Sequence, residues 1–330
     1  MGGRPFTPLG LLLLTGGCGG MQAVLAPAGP DAAAVRPLSL VLFTGGAVIF
    51  LMVMGLVAWA ILTRPERRRW LSRPGAIVAM GGIFPVATLT ALLVHALLLT
   101  EWSGGAPAAA DTPLRIEVIG EQWWWRVTYL DGDGAPIVET ANEIRIPVGR
   151  PVEFVLKSAD VIHSFWVPKL GGKRDMIPGR VNRLTLAADT PGVFRGQCAE
   201  YCGGPHTLMA FEVVALPPED FDRWLSAERE PARAPAHDRA TQGQSLFLAH
   251  GCGGCHRVRG TEADGVIGPD LTHLGSRRRI AAASFPMNQG TLAGWIADNQ
   301  HLKPGNHMPS FAIFSGVELR ALAAYLEGLK

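Results

Sequence analysis

The chain has 330 residues, enough for two soluble domains of ordinary size with membrane spans in addition. Hydrophobic residues make up 48% and charged residues only 18%, a balance too apolar for an ordinary soluble protein. The net charge of +2 gives no support to a nucleic-acid partner. The five cysteines fall as one single residue, Cys18, and two close pairs, Cys198/Cys202 and Cys252/Cys255. This distribution favours metal or prosthetic-group chemistry over a disulfide framework.

The N-terminal segment has the features of a targeting signal. Arg4 precedes an apolar run at residues 9–14, and small residues then lead to Cys18. A basic start, a short apolar run and small residues before a cysteine resemble a lipoprotein signal peptide. We therefore interpret residues 1–37 as a signal-like or lipoprotein-like N-terminus, in which processing is expected and lipid attachment at Cys18 is left open. The alternative is an unprocessed tail with an idle thiol.

Two long apolar runs, at residues 38–62 and 76–100, contain no Asp, Glu, Lys or Arg. Each exceeds the ~20 residues that a helix needs to cross a hydrocarbon core. The short loop between them carries five arginines within residues 64–73, which is typical of the cytoplasmic side of a membrane. Residues 38–100 are therefore predicted to form a two-helix transmembrane hairpin, with everything after about residue 101 on the extracytoplasmic side. The alternative is a pair of buried helices in a soluble protein.

Residues 101–216 change to a strand-like pattern after a small-residue linker at 104–110. Short, mostly alternating runs at 114–118, 143–146 and 152–156 are separated by Gly, Pro and Asp. Such spacing predicts a β-sandwich or barrel of about 100 residues.

The C-terminal part has a different texture. Residues 217–238 are charged and contain proline, which indicates an interdomain linker. Residues 239–330 have a helical pattern, and Leu319, Leu322 and Leu326 fall on one face of the last predicted helix.

A cluster of soft ligands lies near the end of the β-domain. Cys198, Cys202, His206 and Met209 stand within twelve residues of one another. Thiolates, imidazole and thioether favour copper over magnesium or calcium, and the thioether argues against structural zinc. Two cysteines on one turn can bridge two metal ions, which requires a second histidine, and His163 has the right strand context. The alternative for the cysteines is a disulfide.

The sequence Cys252-Gly-Gly-Cys255-His256 predicts covalent haem. Two thiols three positions apart can add to the vinyl groups of one haem, and the adjacent histidine then reaches the iron. A zinc half-site or a redox dithiol is the alternative, and the absence of a second cysteine pair after residue 239 weakens both.

The sixth iron ligand is expected downstream. Met308 is the best candidate, and Met287 and His307 are its rivals. A thioether ligand from Met308 would raise the reduction potential. The segment resembles class I cytochromes c. That resemblance implies that the carbonyl of Pro269 accepts a hydrogen bond from His256. It also implies that two terminal helices cross at three residues: Gly243, Phe247 and Tyr325.

The copper motif resembles subunit II of cytochrome c oxidase. The pattern Cys-x-Glu-x-Cys-x-x-x-His-x-x-Met, with an upstream His-Ser-Phe-Trp, is similar to its dinuclear copper-A site. The resemblance implies that Cys198 and Cys202 bridge two coppers and that each copper binds one of two histidines, His163 and His206. It further implies that Met209 is a weak ligand.

Two other positions acquire expected roles from this resemblance. The backbone carbonyl of Glu200 would bind copper, and its side chain would help hold a magnesium ion at the boundary with subunit I. Trp123 would be the point where electrons enter beside the copper, with barrel packing as the alternative. Trp124 is expected in the core or an interface. Many family members have a glutamate seven residues before a proline in the second helix, where this chain has Val78 before Pro85.

The resemblance predicts a multidomain membrane protein: a two-helix transmembrane hairpin, a cupredoxin-like Greek-key β-barrel and an all-α class I cytochrome c domain. Its implied function is that of subunit II of a haem-copper oxidase of a bacterial cytoplasmic membrane. Electrons would pass from an external donor through haem c to copper-A and on to subunit I. The expected partners are subunits I and III, membrane lipid, and a cytochrome c or a membrane-bound cytochrome complex as donor.

Two rival functions remain open from the sequence. The chain could serve another terminal reductase, such as a nitric oxide reductase, or act alone as a membrane-tethered electron carrier or copper-delivery protein. The copper-retaining cysteines exclude a quinol-oxidase subunit on this interpretation.

Overall fold

The computed structural model describes residues 19–102 and 114–330. The signal-like segment with Cys18 and the small-residue linker 104–110 lie outside the described residues. The chain forms two compact units, Ala33–Pro107 and the remainder.

The first unit is helical. Its elements are α1 (Pro30–Leu62, which begins in the other unit), α2 (Pro65–Arg68), a 3-10 turn (Arg69–Ser72), α3 (Pro74–Val78), a π-helical turn (Ala79–Ile83) and α4 (Phe84–Trp102). Two stretches, Pro30–Leu62 and Pro74–Leu99, are long and apolar enough to cross a membrane. Helix α1 starts eight residues before the apolar run because Pro30 and Asp31 suit a first helical turn. The π-helical turn directly precedes α4, where Pro85 lacks the N–H of a regular helix.

The β-domain is a sandwich of two five-stranded sheets, ordered β3-β2-β1-β5-β8 and β4-β10-β9-β6-β7. Its strands are β1 (Leu114–Glu121), β2 (Trp124–Leu130), β3 (Pro136–Ala141), β4 (Glu143–Pro147), β5 (Val152–Ser158), β6 (His163–Trp166), β7 (Arg174–Met176), β8 (Asn182–Leu186), β9 (Gly192–Cys198) and β10 (Ala210–Leu216). The β1–β5 and β10–β4 pairs are parallel, and the other pairs are antiparallel. Strands β1, β4 and β5 confirm the three strands predicted from alternation.

Strand β2 shows how the sandwich core is filled. Trp125, Val127 and Tyr129 are fully buried, because side chains two apart point to the same face. Trp124 points the other way, with the guanidinium of Arg126 4.8 Å above its ring. The core tryptophan of this strand is therefore Trp125, and Trp124 lies on the outer face.

The segment 217–238, predicted as a linker, contains helix α5 (Pro218–Arg229). Phe221 is buried in the same core as the β-sandwich, and the Trp224 ring lies 5.2 Å from that of Tyr129. The start of this segment thus packs as part of the β-domain.

The C-terminal domain is mainly helical, with α6 (Asp238–Ala249), α7 (Gln289–Leu302), α8 (Gly316–Gly328) and one short pair of strands, β11 (Arg279–Ile280) and β12 (Phe285–Pro286). Helices α6 and α8 cross where Gly243 meets Ala321. A Cβ at Gly243 would lie 2.0 Å from the Ala321 carbonyl oxygen, so only glycine allows this approach. The Phe247 and Tyr325 rings meet edge to face at 5.6 Å, which confirms the predicted crossing.

Candidate metal centres

Two cysteines at the end of strand β9 form the centre of a sulfur cluster. Cys198 and Cys202 are both buried, and their Sγ atoms lie 3.7 Å apart. A disulfide needs about 2.05 Å, so the pair consists of two free thiols. The Met209 Sδ lies 3.7 Å from the Cys202 Sγ and is also buried. The structure therefore brings together three sulfur atoms from one loop.

Two histidines flank this sulfur pair, one at each cysteine. His163 Nδ1 lies 3.8 Å from Cys198 Sγ, and His206 Nδ1 lies 3.4 Å from Cys202 Sγ. His163 begins strand β6, which pairs with β9 and so carries a residue distant in sequence to Cys198. The ligand atoms of His163, Cys198 and Cys202 all lie within 4.8 Å of one another. Such a buried group of soft donors suits copper.

Glu200 presents its backbone and its side chain to different surroundings. Its carbonyl oxygen lies 3.2 Å from Cys198 Sγ, within the cluster. Its half-exposed carboxylate instead pairs with Lys173 Nζ at 3.2 Å, and Lys173 also contacts Asp175 at 3.3 Å. The backbone carbonyl is thus placed for the cluster, while the carboxylate faces outward.

The two thiols are joined by a hydrogen bond, so the ionisation of one affects the ionisation of the other. The hydrogen bond between them lowers the pKa of Cys198, and the same contact raises the pKa of Cys202. One thiolate therefore forms readily beside a second thiol. Since metal ions bind thiolate rather than thiol, binding at this pair proceeds with release of the remaining proton.

Asp160 is a functional residue that the sequence reasoning missed. His163 Nε2–H donates to Asp160 Oδ1 at 2.7 Å, which leaves Nδ1 facing Cys198. Asp160 Oδ2 also accepts the backbone N–H of Gln122 at 2.6 Å. A carboxylate that holds the far nitrogen of a ligating histidine fixes the ring and raises its basicity. The spacing of three residues between Asp160 and His163 could have revealed the pair.

We expect Asp160→Asn to weaken copper binding by about 10- to 100-fold, because asparagine keeps the size but removes the charge. Competition with a copper chelator measures this affinity. Asp189→Asn, at an exposed carboxylate of the same domain, serves as the control. An Asp160→Asn affinity equal to that of the control would exclude a role for Asp160 in holding His163.

The haem motif forms a tight turn. Cys252–Gly254 is a 3-10 helix preceded by Gly251 at φ +74°, and the His256 N–H donates to the Cys252 carbonyl at 3.0 Å. Both cysteines are free thiols. The turn thus groups two thiols and one imidazole on a few residues, as covalent haem attachment requires.

His256 is oriented by a backbone contact. Its Nδ1–H donates to the carbonyl oxygen of Pro269 at 2.8 Å, which confirms the contact expected from the cytochrome resemblance. Gly268 lies against the ring, where an added Cβ would be 2.6 Å from His256 Cε1. Burial lowers the pKa of His256 and keeps the imidazole neutral. Its Nε2 is therefore the nitrogen available to iron.

The candidate sixth ligands occupy different places. Met308 is half-buried in a loop braced by Gln300, whose Nε2 donates to the Met308 carbonyl at 2.8 Å. The exposed His307 instead turns to the β-domain, with its ring 6.3 Å from that of Trp123. Met287 packs against the hydrophobic core of the C-terminal domain.

Trp123 lies between the two candidate centres. Its Nε1–H donates to the Cys202 carbonyl at 3.0 Å on the copper side. A Cβ added at Gly203 would lie 3.3 Å from this indole, and one at Gly305 would lie 3.5 Å from it. Two glycine-containing loops, one from each domain, therefore close on the same tryptophan.

Ion pairs also join the β-domain to the cytochrome domain. The buried carboxylate of Glu212, on β10, accepts from Arg278 Nε at 3.1 Å and from Arg279 Nε at 3.0 Å. Glu143, on β4, accepts the backbone N–H of Arg278 at 2.8 Å. These contacts join strands β4 and β10 of the β-domain to the segment of the cytochrome domain that leads into β11.

Comparison with known protein families gives a match for each of the two domains that follow the apolar helices. The family described as cytochrome c oxidase subunit II, periplasmic domain, matches residues 114–216, and the cytochrome c family matches residues 240–330. Cytochrome c oxidase subunit 2 of Alkalihalophilus pseudofirmus is 34% identical over 338 residues, covering 98% of this chain and 96% of that protein.

This chain belongs to the cytochrome c oxidase subunit 2 family.

Two further members illustrate the range of the family. Cytochrome c oxidase subunit 2 of Bacillus subtilis is 31% identical over 75% of this chain and 73% of its own length. Quinol oxidase subunit 2 of Bacillus anthracis is 30% identical over 74% of this chain and 88% of its own length.

Family membership establishes the main features of this subunit 2. It consists of two apolar helices that anchor it in a membrane, a cupredoxin-like sandwich and a helical cytochrome c domain. It is part of a haem-copper oxidoreductase complex, in which it associates with subunit I. The two matched domains imply copper-A and haem c. The donor sets fit both groups, because the sulfur–imidazole cluster suits copper and the free thiols beside His256 suit haem.

Proposed function

We propose that this subunit passes electrons one at a time from an external donor through a covalent haem c to a dinuclear copper-A centre and on to subunit I, which reduces oxygen to water. The position of Trp123 carries this proposal: its ring faces His307 of the cytochrome domain, and its indole N–H contacts the Cys202 carbonyl. Trp123 is then the residue through which the two domains communicate.

The proposed ligands are those that the structure groups together. The thiols of Cys198 and Cys202, the two histidines, Met209 and the Glu200 carbonyl would hold the copper pair. Their support is the arrangement of one histidine at each thiol, at 3.8 and 3.4 Å. The two cysteines and His163 are buried, and His206 is half-buried. Limited access of water to such a centre would help to set its potential.

For the haem, we propose covalent attachment at Cys252 and Cys255 with His256 and Met308 on the iron. The bond from His256 to Pro269 supports the histidine, since it leaves Nε2 for the metal. The contact of His307 with Trp123 favours Met308 over its neighbour, because His307 is directed to the β-domain.

A magnesium ion at the Glu200 carboxylate belongs to the same proposal. The carboxylates of Glu200 and Asp175 share Lys173, at 3.2 and 3.3 Å, on the outer side of the copper cluster. Carboxylate oxygens at a subunit boundary are suitable magnesium ligands. In the complex, subunit I would supply the remaining ligands.

The membrane arrangement follows from charge. We propose that the loop holding Arg64 to Arg73 is cytoplasmic and that residues 101–216, the linker 217–238 and the cytochrome domain 239–330 are extracytoplasmic. Subunit III and a cytochrome c or membrane-bound cytochrome complex are the other proposed partners. With Val78 in place of the usual glutamate, proton uptake would use another route or another subunit.

Cytochrome c oxidation is favoured over quinol oxidation by the presence of both donor sets. A quinol oxidase needs neither an attached haem nor a copper pair in this subunit, whereas this chain holds both sets of side chains. A nitric oxide reductase remains the rival that shares these features.

Purification of the membrane complex through a tag after Lys330 tests the proposal. We expect subunit I to co-purify, and reduced cytochrome c to drive oxygen consumption. Consumption of nitric oxide with no use of oxygen would assign the chain to another reductase. A chain that purifies alone and still shuttles electrons would identify a stand-alone carrier.

A further inference from the structure

A buried lysine lies where the two domains meet. Lys303 follows helix α7, and its side chain is only 3% exposed. Its Nζ donates to the carbonyl oxygens of Trp123 at 2.7 Å, Leu208 at 2.9 Å and Ala281 at 3.4 Å. The three donors of the ammonium group are thus directed to three separate chain segments.

The charge on Lys303 has no carboxylate partner among the residues that the structure describes. Burial lowers the pKa of this ammonium to about 7, which reflects the cost of removing it from water. An apolar side chain of similar size would avoid that cost. The neighbouring Arg279 differs, since it pairs with Glu212 across the same interface. The burial of Lys303 is therefore better explained by a role in fixing the three chain segments that it contacts than by a contribution to the stability of the fold.

The carbonyls that Lys303 holds adjoin the two candidate centres. Trp123 contacts the Cys202 carbonyl through its indole N–H, and Leu208 directly precedes Met209. Lys303 itself stands five residues before Met308, in the loop that carries His307 to the Trp123 ring. One side chain thus connects the iron-ligand loop to both sides of the copper loop.

We propose that Lys303 is a positioning residue for electron transfer, which fixes the loop 303–308 against Trp123 and the copper loop and so holds the two centres at a constant separation. This inference rests on the proposed electron route. Without the three hydrogen bonds, the Trp123 carbonyl loses the buried Lys303 donor, and the Leu208 carbonyl keeps its hydrogen bond from Ser284 Oγ at 3.2 Å. The loop 303–308 is then no longer fixed to Trp123 and Leu208 by this side chain.

The test compares three variants in the intact oxidase complex. Lys303→Met keeps the length of the side chain and removes its donors. Lys157→Met is the matched control, since Lys157 pairs with Glu117 within the β-domain. Arg279→Met is the control at the interface itself, where Arg278 still reaches Glu212.

Two quantities are measured in each complex. One is the rate of electron transfer from haem to copper after rapid reduction, compared at the measured driving force of each variant. The other is hydrogen exchange of backbone amides in residues 120–126 and 279–285, which reports local order with no electron transfer.

For Lys303→Met we expect the rate to fall clearly below that of both controls, because electron transfer slows steeply as the separation of two centres grows. We also expect faster exchange in both segments, with haem and copper contents unchanged. Both controls should stay within about twofold of wild type, since surface and peripheral changes have small effects.

Two results would overturn the inference. Lys303→Met could match Lys157→Met in both quantities, or Lys303→Met and Arg279→Met could slow the transfer equally, which would indicate general adhesion between the domains. A wild-type complex whose copper is reduced without passing through the haem would instead overturn the proposed route. The wild-type trace therefore distinguishes failure of the route from failure of the role given to Lys303.

Discussion

Replacing Cys198 with serine is expected to abolish the paired copper centre and leave the covalent haem intact. Cys198 is buried and contacts three parts of the cluster: Cys202 at 3.7 Å, His163 at 3.8 Å and the Glu200 carbonyl at 3.2 Å. Serine has nearly the same shape, so the sandwich should still fold. A hydroxyl, however, does not ionise at neutral pH and is a hard donor that copper binds poorly. Without the bridging thiolate, the second copper has no site.

Copper and haem analysis of the Cys198→Ser chain, with its electron spin resonance spectrum, measures this effect. Cys255→Ser is the complementary variant, since it should disturb haem attachment and leave the copper signal unchanged. A Cys198→Ser chain that still held a copper pair with the wild-type spectrum would show that the assigned cluster is wrong.

Replacing Met308 with leucine is expected to keep the haem covalently attached and to lower its reduction potential. Leucine preserves the volume and removes the thioether, so only the iron ligand changes. Axial ligands set haem potentials over about 0.8 V, and methionine lies toward the high end. The attachment at Cys252 and Cys255 does not depend on this residue. We therefore expect a changed visible spectrum together with an unchanged haem content.

Redox titration and the absorption spectrum of Met308→Leu measure both effects. Met287→Leu is the matched control, because Met287 packs against the core of the same domain and should tolerate leucine. If Met287→Leu changed the spectrum and Met308→Leu did not, the iron ligand would be Met287. An unchanged spectrum in both variants would indicate His307 as the iron ligand.

Most residues of the two candidate centres could be recognised from the sequence because they lie close together along the chain. Eleven consecutive positions after Cys198 supply the copper loop, and one pentapeptide supplies the haem turn. His163 was found because it borders a strand-like run. In the structure β6 pairs with β9, and His163 Nδ1 lies 3.8 Å from Cys198 Sγ.

Other features depend on contacts that no local pattern contains. The choice between Trp124 and Trp125 as the core residue follows from strand register, in which Trp125 pairs with Gly120 and Trp124 with Glu121. An aromatic run fills both faces of a strand, so alternation could not decide the register. The burial of Lys303 arises only when the cytochrome domain docks on the copper domain. Helix α5 was not predicted because its segment is charged and contains proline, a composition that is typical of a linker.

The most direct test of the central claim is metal and haem analysis of the full-length chain, purified in detergent without its partner subunits, together with its electron spin resonance spectrum. The account predicts a pair of copper ions sharing one unpaired electron and a single covalent haem in each chain. A single copper or none, with Cys198 and Cys202 joined in a disulfide, would contradict it and leave a membrane-anchored cytochrome c.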